Sequence, residues 1–265
     1  MKLSFGPVRF SAMSFGTSRR RWAVLMAIAL LISSCSEPAG TPVSGDTPAP
    51  SSPPVAAAPS ALTAGLPRLE GNAIAEITVG DQVITVELDG DKAPITAGNF
   101  VDLAQKGVYD GTTFHRVVKS PEPFVAQGGD PLSKDPNVPA SRLGSGGYVD
   151  EETGAAREIP LEILTDGSDE IVYGMTLPEA RIQAAPVLNH RRGAIAMARS
   201  GVNTASSQFY ITLADLPFLD GSYAVFGYVT DGMDVVDAIQ LGDVITSVEI
   251  TSGAENLVLP EAAGQ

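Results

Sequence analysis

Between residues 73 and 88 the hydrophobic positions alternate with polar ones in two runs, AIAEITV and QVITVEL, that flank Gly80-Asp81. Alternation at a period of two gathers one set of side chains on a single face of a strand, and a two-residue link containing glycine joins antiparallel neighbours. The two runs predict a β-hairpin. The period then changes: in APITAGNFVDLAQKG, Ala97, Phe100, Val101 and Ala104 share one helical face, with Pro94 placed to start a helix and Gly107 to stop it. Six further short apolar runs, at 113–118, 124–127, 194–198, 208–212, 224–228 and 244–251, read as strands. A second short helix fits 233–239, with Asp231 as its N-cap. Eight strands with only two helices predict a mainly β fold: a closed eight-stranded antiparallel barrel with a helix capping each end. The stretch between Gly129 and Gly193 is too long for a bare connection, so an ordered insertion over about 131–190 is expected.

The ends of the chain follow other patterns. Lys2, Arg9 and Arg19-Arg20-Arg21 precede an apolar run from Trp22 to Ile32, with no acidic residue before it, the layout of a signal peptide over 1–34. Its end, LLISSC, resembles the lipobox of bacterial lipoproteins, which implies that Cys35 is lipidated. Residues 35–68 are rich in Pro, Ala and Ser and poor in large apolar side chains, and so predict a disordered tether. The folded domain is expected over 69–259, with a tail at 260–265.

Composition narrows the chemistry. A formal charge of −14 argues against a nucleic-acid partner, while 44% hydrophobic residues are enough to build a core. Cys35 is the only cysteine, so no internal disulfide can form. Two histidines far apart in sequence, His115 and His190, make a transition-metal site unexpected. Alternation turns His115 away from Arg116, predicting a packed and hydrogen-bonded ring, and His190 beside Arg191-Arg192 reads as a loop residue. Gly144–Gly147 read as turns.

FHRVV, FVAQGGDP, GAIAMARSGVNTASSQFYIT and FLDGSYAVFGYV resemble, in order and spacing, the cyclophilin peptidyl-prolyl isomerases over about 73–252. REIPLEI, VYGMTL, AMARS, SYAVFGYVTDG and GAENLVLP further resemble the large cyclophilins of cyanobacteria and of the thylakoid lumen. The resemblance implies a prolyl isomerase without cofactor or metal, acting on proline-containing polypeptides. Together with the lipobox it implies a monomer held by a lipid anchor on a membrane facing the periplasm or thylakoid lumen. A low-activity scaffold or assembly chaperone is the alternative. By the same resemblance Arg116 is the catalytic donor and Gln127 its orienting partner, while Phe124, Val125, Tyr210 and Leu219 wall an apolar cup. Ala198, Arg199 and Gln208 map to a peptide-binding strip, with Phe218 and Tyr223 beside it. The chain departs from the family in a link at 119–123 about three residues longer than usual, in Arg199 for asparagine, Tyr210 for phenylalanine, Val125 for methionine, Phe218 for tryptophan and Tyr223 for histidine.

Overall fold

A computed structural model describes residues 59–260. The signal peptide, Cys35 and most of the predicted tether lie outside the described residues. Two strands, β1 (Asn72–Val79) and β2 (Gln82–Asp89), form the expected hairpin, with Val79 opposite Gln82 across the turn. Ala73, Ala75 and Ile77 face Leu88, Val86 and Ile84 across the pair, and all six are buried. Each large side chain among them contributes roughly 1.5–3 kcal/mol by leaving water.

The other strands of the main sheet are β3 (Arg116–Val117), β4 (Val125–Gly128), β5 (Ala194–Met197), β6 (Phe209–Thr212), β7 (Val225–Asp231) and β8 (Ile245–Ser252). They form one antiparallel sheet in the order β8-β1-β2-β7-β5-β6-β4-β3. The eight strands and their antiparallel sense agree with expectation, but the strand ladder curls into a half-barrel and is not closed. The end strands β8 and β3 do not pair with each other. The segments that precede them meet instead, at an isolated bridge from Thr113 to Val244, supported by Phe114 N–H to Asp243 O at 2.9 Å and Ile245 N–H to Thr112 O at 2.8 Å. β3 itself is only two residues long, too short to carry a second ladder.

Two helices accompany the sheet: α1 (Pro94–Gln105) and α2 (Met233–Ala238). The side chains of α1 that enter the core include Phe100, whose ring stacks on Tyr109 at 4.8 Å. Asp231 does not cap α2. The N-cap is Gly232, at φ 81°, where a Cβ would stand 2.5 Å from the carbonyl oxygen of Val83, so only glycine fits that approach. Described structure also precedes Leu69. Residues Pro59–Thr63 form a short helix, Pro67 is buried and Leu66 packs on the core, giving even this proline-rich stretch a few apolar groups to anchor. Arg68–Leu69 then pairs with Leu257–Val258, joining the two ends of the domain. Among the described residues, no helix is long and apolar enough to cross a membrane.

The insertion is ordered. It contains two 3-10 turns, Pro131–Lys134 and Ala140–Arg142, and a strand pair, Glu162–Leu164 with Ile171–Tyr173. Leu161, Ile163 and Leu177 form a small apolar cluster with Ala224. The insertion is fastened to α1 at both ends of that helix. Glu162 accepts hydrogen bonds from Ile95 N–H at 3.1 Å, Thr96 N–H at 2.8 Å and the Tyr173 hydroxyl at 2.8 Å. It thereby caps a helix whose own N-cap, Ala93, has no side chain able to do so. Arg157 pairs with Asp102 in the helix's last two turns.

Candidate active site

The ladder itself aligns the site. Arg116 on β3 stands opposite Gln127 on β4, and Gln127 stands opposite Tyr210 on β6. Residues directly opposite in an antiparallel sheet project to the same face, so these three form a row across neighbouring strands. Arg116 Nη1 donates to Gln127 Oε1 at 3.3 Å, Gln127 Nε2 donates to Gln208 Oε1 at 3.1 Å, and Gln208 Nε2 donates to Gly146 O at 2.6 Å. The chain of amides has a single direction because a guanidinium can only donate. The Arg116 guanidinium also lies 5.3 Å from the centre of the Phe124 ring.

Phe124 closes the long link from β3. Val118 and Phe124 stand at its two ends, with Phe124 N–H donating to Val118 O at 2.9 Å. Lys119 within the link donates to Asp237 O and Ile239 O, both at 2.5 Å, fixing the loop to the C-terminal end of α2, where a cation is favoured. The start of the link is therefore tied to α2 through Lys119.

A recess of about 320 Å³ opens on this face. Arg116, Gln127 and Arg199 supply its polar wall, and Phe124, Val125, Ala198, Tyr210, Leu219 and Tyr223 the rest. A second recess of about 510 Å³ adjoins it, sharing Gln127, Ala198 and Arg199 and adding Gln208 and Gly144–Gly147. The glycines read as turns thus wall a cavity. Asp130 gathers them by accepting from Gly144 N–H and Gly146 N–H, and a Cβ on Gly146 would lie 2.1 Å from its carboxylate oxygen. Phe218 does not line the smaller recess. It is 71% exposed and stacks on the outside of Phe124, with ring centres 6.0 Å apart.

A family model described as cyclophilin type peptidyl-prolyl cis-trans isomerase matches residues 74–254. The chain belongs to the cyclophilin family. A Synechocystis protein bearing the name of a thylakoid lumen peptidyl-prolyl cis-trans isomerase is 40% identical over 208 residues, covering 74% of this chain and 51% of the relative. A chloroplastic peptidyl-prolyl cis-trans isomerase of Arabidopsis thaliana is 38% identical over 214 residues, covering 74% of this chain and 46% of the relative. The chain therefore spans about half the length of these two relatives. A Cryptosporidium parvum cyclophilin of known structure superposes with a TM-score of 0.50 at 27% identity, covering 68% of this chain and 98% of that one.

Within this cyclophilin domain two residues, His190 and Asp220, stand behind the recess, a place the sequence pattern did not give them. His190 is in a loop, as expected, but is only 2% exposed. Its Nδ1 is 2.7 Å from Asp220 Oδ1, and its Nε2 is 3.0 Å from the hydroxyl of Tyr210, a wall of the recess. Burial lowers the His190 pKa, with the Asp220 carboxylate opposing that shift, and burial raises the pKa of Tyr210. Asp220 sits inside the FLDGSY stretch already quoted, but nothing in its spacing points to a histidine 30 residues earlier. His115 is packed as expected but not hydrogen-bonded. Neither ring nitrogen has a hydrogen-bond partner, and burial lowers the His115 pKa, with Asp130, the Thr113 backbone and the Gln208 side chain opposing that shift. Among the described residues, no group of three or more histidines, cysteines or acids could hold a metal ion.

Proposed function

We infer that this chain is a peptidyl-prolyl cis-trans isomerase whose reaction takes place in the smaller recess, with Arg116 as catalytic residue. Rotation about an Xaa-Pro bond is slow because it breaks amide resonance, against a barrier of roughly 18–20 kcal/mol. No proton transfer or covalent intermediate is required. Twisting localises a lone pair on the prolyl nitrogen, and a donor aimed at that nitrogen binds the twisted state more strongly than the planar one. Arg116 supports this reading. Its guanidinium is permanently charged, is steadied by Gln127 at 3.3 Å and by the Phe124 ring, and faces a recess large enough for a prolyl ring. Phe124, Val125, Tyr210 and Leu219 would hold that ring while the preceding carbonyl rotates. Gln127 orients Arg116, and Ala198, Arg199, Gln208 and Tyr223 receive the flanking peptide.

The thylakoid-lumen and chloroplast names of two relatives, together with the basic-then-apolar leader and Cys35, support an exported protein held by a lipid anchor. Its substrates would then be proline-containing chains folding in an envelope or lumenal compartment, where uncatalysed isomerisation takes tens of seconds.

The observation that carries the proposal is the Arg116 guanidinium at the mouth of an apolar recess. The test is the rate of cis-trans exchange in a short Ala-Pro peptide with the full chain. Arg116→Ala should lower kcat/KM by about 100-fold or more, the scale for losing one transition-state donor. Equal rates for the two proteins would remove Arg116 from the reaction.

A further inference from the structure

Two guanidiniums, Arg116 and Arg199, line the smaller recess, and no carboxylate does. Among the described residues neither forms an ion pair; Arg142, Arg181 and Arg191 likewise have none, while Arg68, Arg157 and Arg192 each have a carboxylate partner. Glu179, the acid that senses the charge of Arg199, has its own carboxylate engaged by the N–H and hydroxyl of Thr176.

Arg199 is also held in place. Its Nε donates to Ser222 O at 3.1 Å, its Nη2 donates to the same oxygen, and its guanidinium carbon lies 4.6 Å from the centre of the Tyr223 ring. The side chain has therefore already lost most of its rotamer freedom, and its remaining N–H groups are available to a ligand. Arg199 stands where the two recesses meet, so a peptide with its proline in the smaller one passes over it. Covering an unpaired guanidinium with an apolar or basic side chain costs desolvation without compensation, and an acidic side chain supplies the missing partner.

We propose that Arg199 makes this recess selective for proline segments that carry a carboxylate side chain beside the proline. The inference deepens the isomerase reading and rests on the same recess. Arg199 is a specificity-determining residue, acting on the flank of the substrate and not on the rotating bond.

The experiment uses the full chain and a peptide series in which the residue on each side of a single proline is in turn Glu, Ala or Lys. Binding is read by fluorescence anisotropy and turnover by exchange NMR. At low ionic strength, Glu on at least one side should bind more tightly than Lys by about 3-fold or more, and salt near 1 M should shrink that ratio toward one. Arg199→Gln should abolish the ratio, while Arg199→Lys should retain most of it, which separates charge from the contact with Ser222. An unchanged Glu-to-Lys ratio in Arg199→Gln, or no ratio in the wild type, overturns the proposal. Preference in binding without turnover would uphold the selectivity and sink the isomerase reading. Turnover without preference would do the reverse, and absence of binding by any peptide would overturn both.

Discussion

The Tyr210 hydroxyl lies 3.0 Å from Nε2 of His190, behind the wall of the recess that its ring helps to form. Asp220 accepts from His190 at Nδ1, 2.7 Å away, and from the His190 backbone N–H at 2.8 Å, which leaves Nε2 of the neutral ring as an acceptor for the tyrosine. The hydroxyl that distinguishes this residue from phenylalanine is thereby satisfied within the protein. Tyr210→Phe should strand a buried nitrogen and cost about 1–3 kcal/mol, and His190→Leu should strand the hydroxyl at a similar cost. The double variant should be about 1 kcal/mol or more less destabilised than the sum of the two, as measured by denaturant unfolding. Strict additivity would mean that the contact contributes nothing.

The same pair sets a pH dependence. His190 is held neutral, its pKa lowered from 6.5 by burial with Asp220 opposing, so the unfolded chain binds a proton that the folded chain resists. Where the unfolded state holds more protons, stability rises with pH. His190 should therefore destabilise the fold progressively as pH falls below about 6.5 and have no such effect above it. His115 and the carboxylates titrate as well, so the informative quantity is a difference. Unfolding free energies of wild type and His190→Gln, measured at pH 7.5 and 5.5, should fall more steeply in the wild type. Equal slopes would place the histidine's proton uptake outside the folding equilibrium.

What could be read from the sequence was whatever repeats locally. Ala73, Ala75 and Ile77 announce a buried face because the strand period is two, and Phe100 and Val101 do the same for α1 because helical neighbours recur every three or four positions. The resemblance brought Arg116, Phe124 and Gln127 together for the same reason: their stretches lie close along the chain and the register makes them neighbours. His190 and Asp220 lie 30 residues apart in loops, and Glu162 reaches back 67 residues to Ile95, so no period marks either contact. The closure of the sheet turned on the length of β3, which a pattern of apolar residues over 113–118 overstates because it cannot tell a laddered residue from a packed one.

Glu162 tests how firmly the insertion governs the domain. It is buried, and desolvation raises its pKa against the pull of the hydrogen bonds it accepts from Thr96, Tyr173 and Ile95. Glu162→Gln preserves shape but replaces one acceptor oxygen with a donor facing the N–H groups of α1. A loss of about 1–3 kcal/mol is expected, with Tyr173→Phe costing less because only one bond is removed. Hydrogen exchange should then quicken at Thr96 before it does in β1. Unchanged protection at Thr96 would show that the helix start does not depend on the insertion.

Gly98 sets two effects of opposite sign against each other. In an exposed helix, alanine is about 1 kcal/mol more favourable than glycine. Here a Cβ at position 98 would stand 2.5 Å from Arg68 Cα and 2.7 Å from Leu69 N, both backbone atoms of the strand that pairs with Leu257–Val258. Backbone cannot swing aside as a flexible side-chain end can, and overpacking of this kind costs about 1–3 kcal/mol or more. Gly98→Ala should therefore destabilise the protein, with the earliest rise in exchange at Glu70 N–H, which donates to Asn256 O at 2.9 Å across the joined ends of the domain. A rise in melting temperature instead would mean that α1 does not seat on that strand, and the pairing of Arg68–Leu69 with Leu257–Val258 would lose its support.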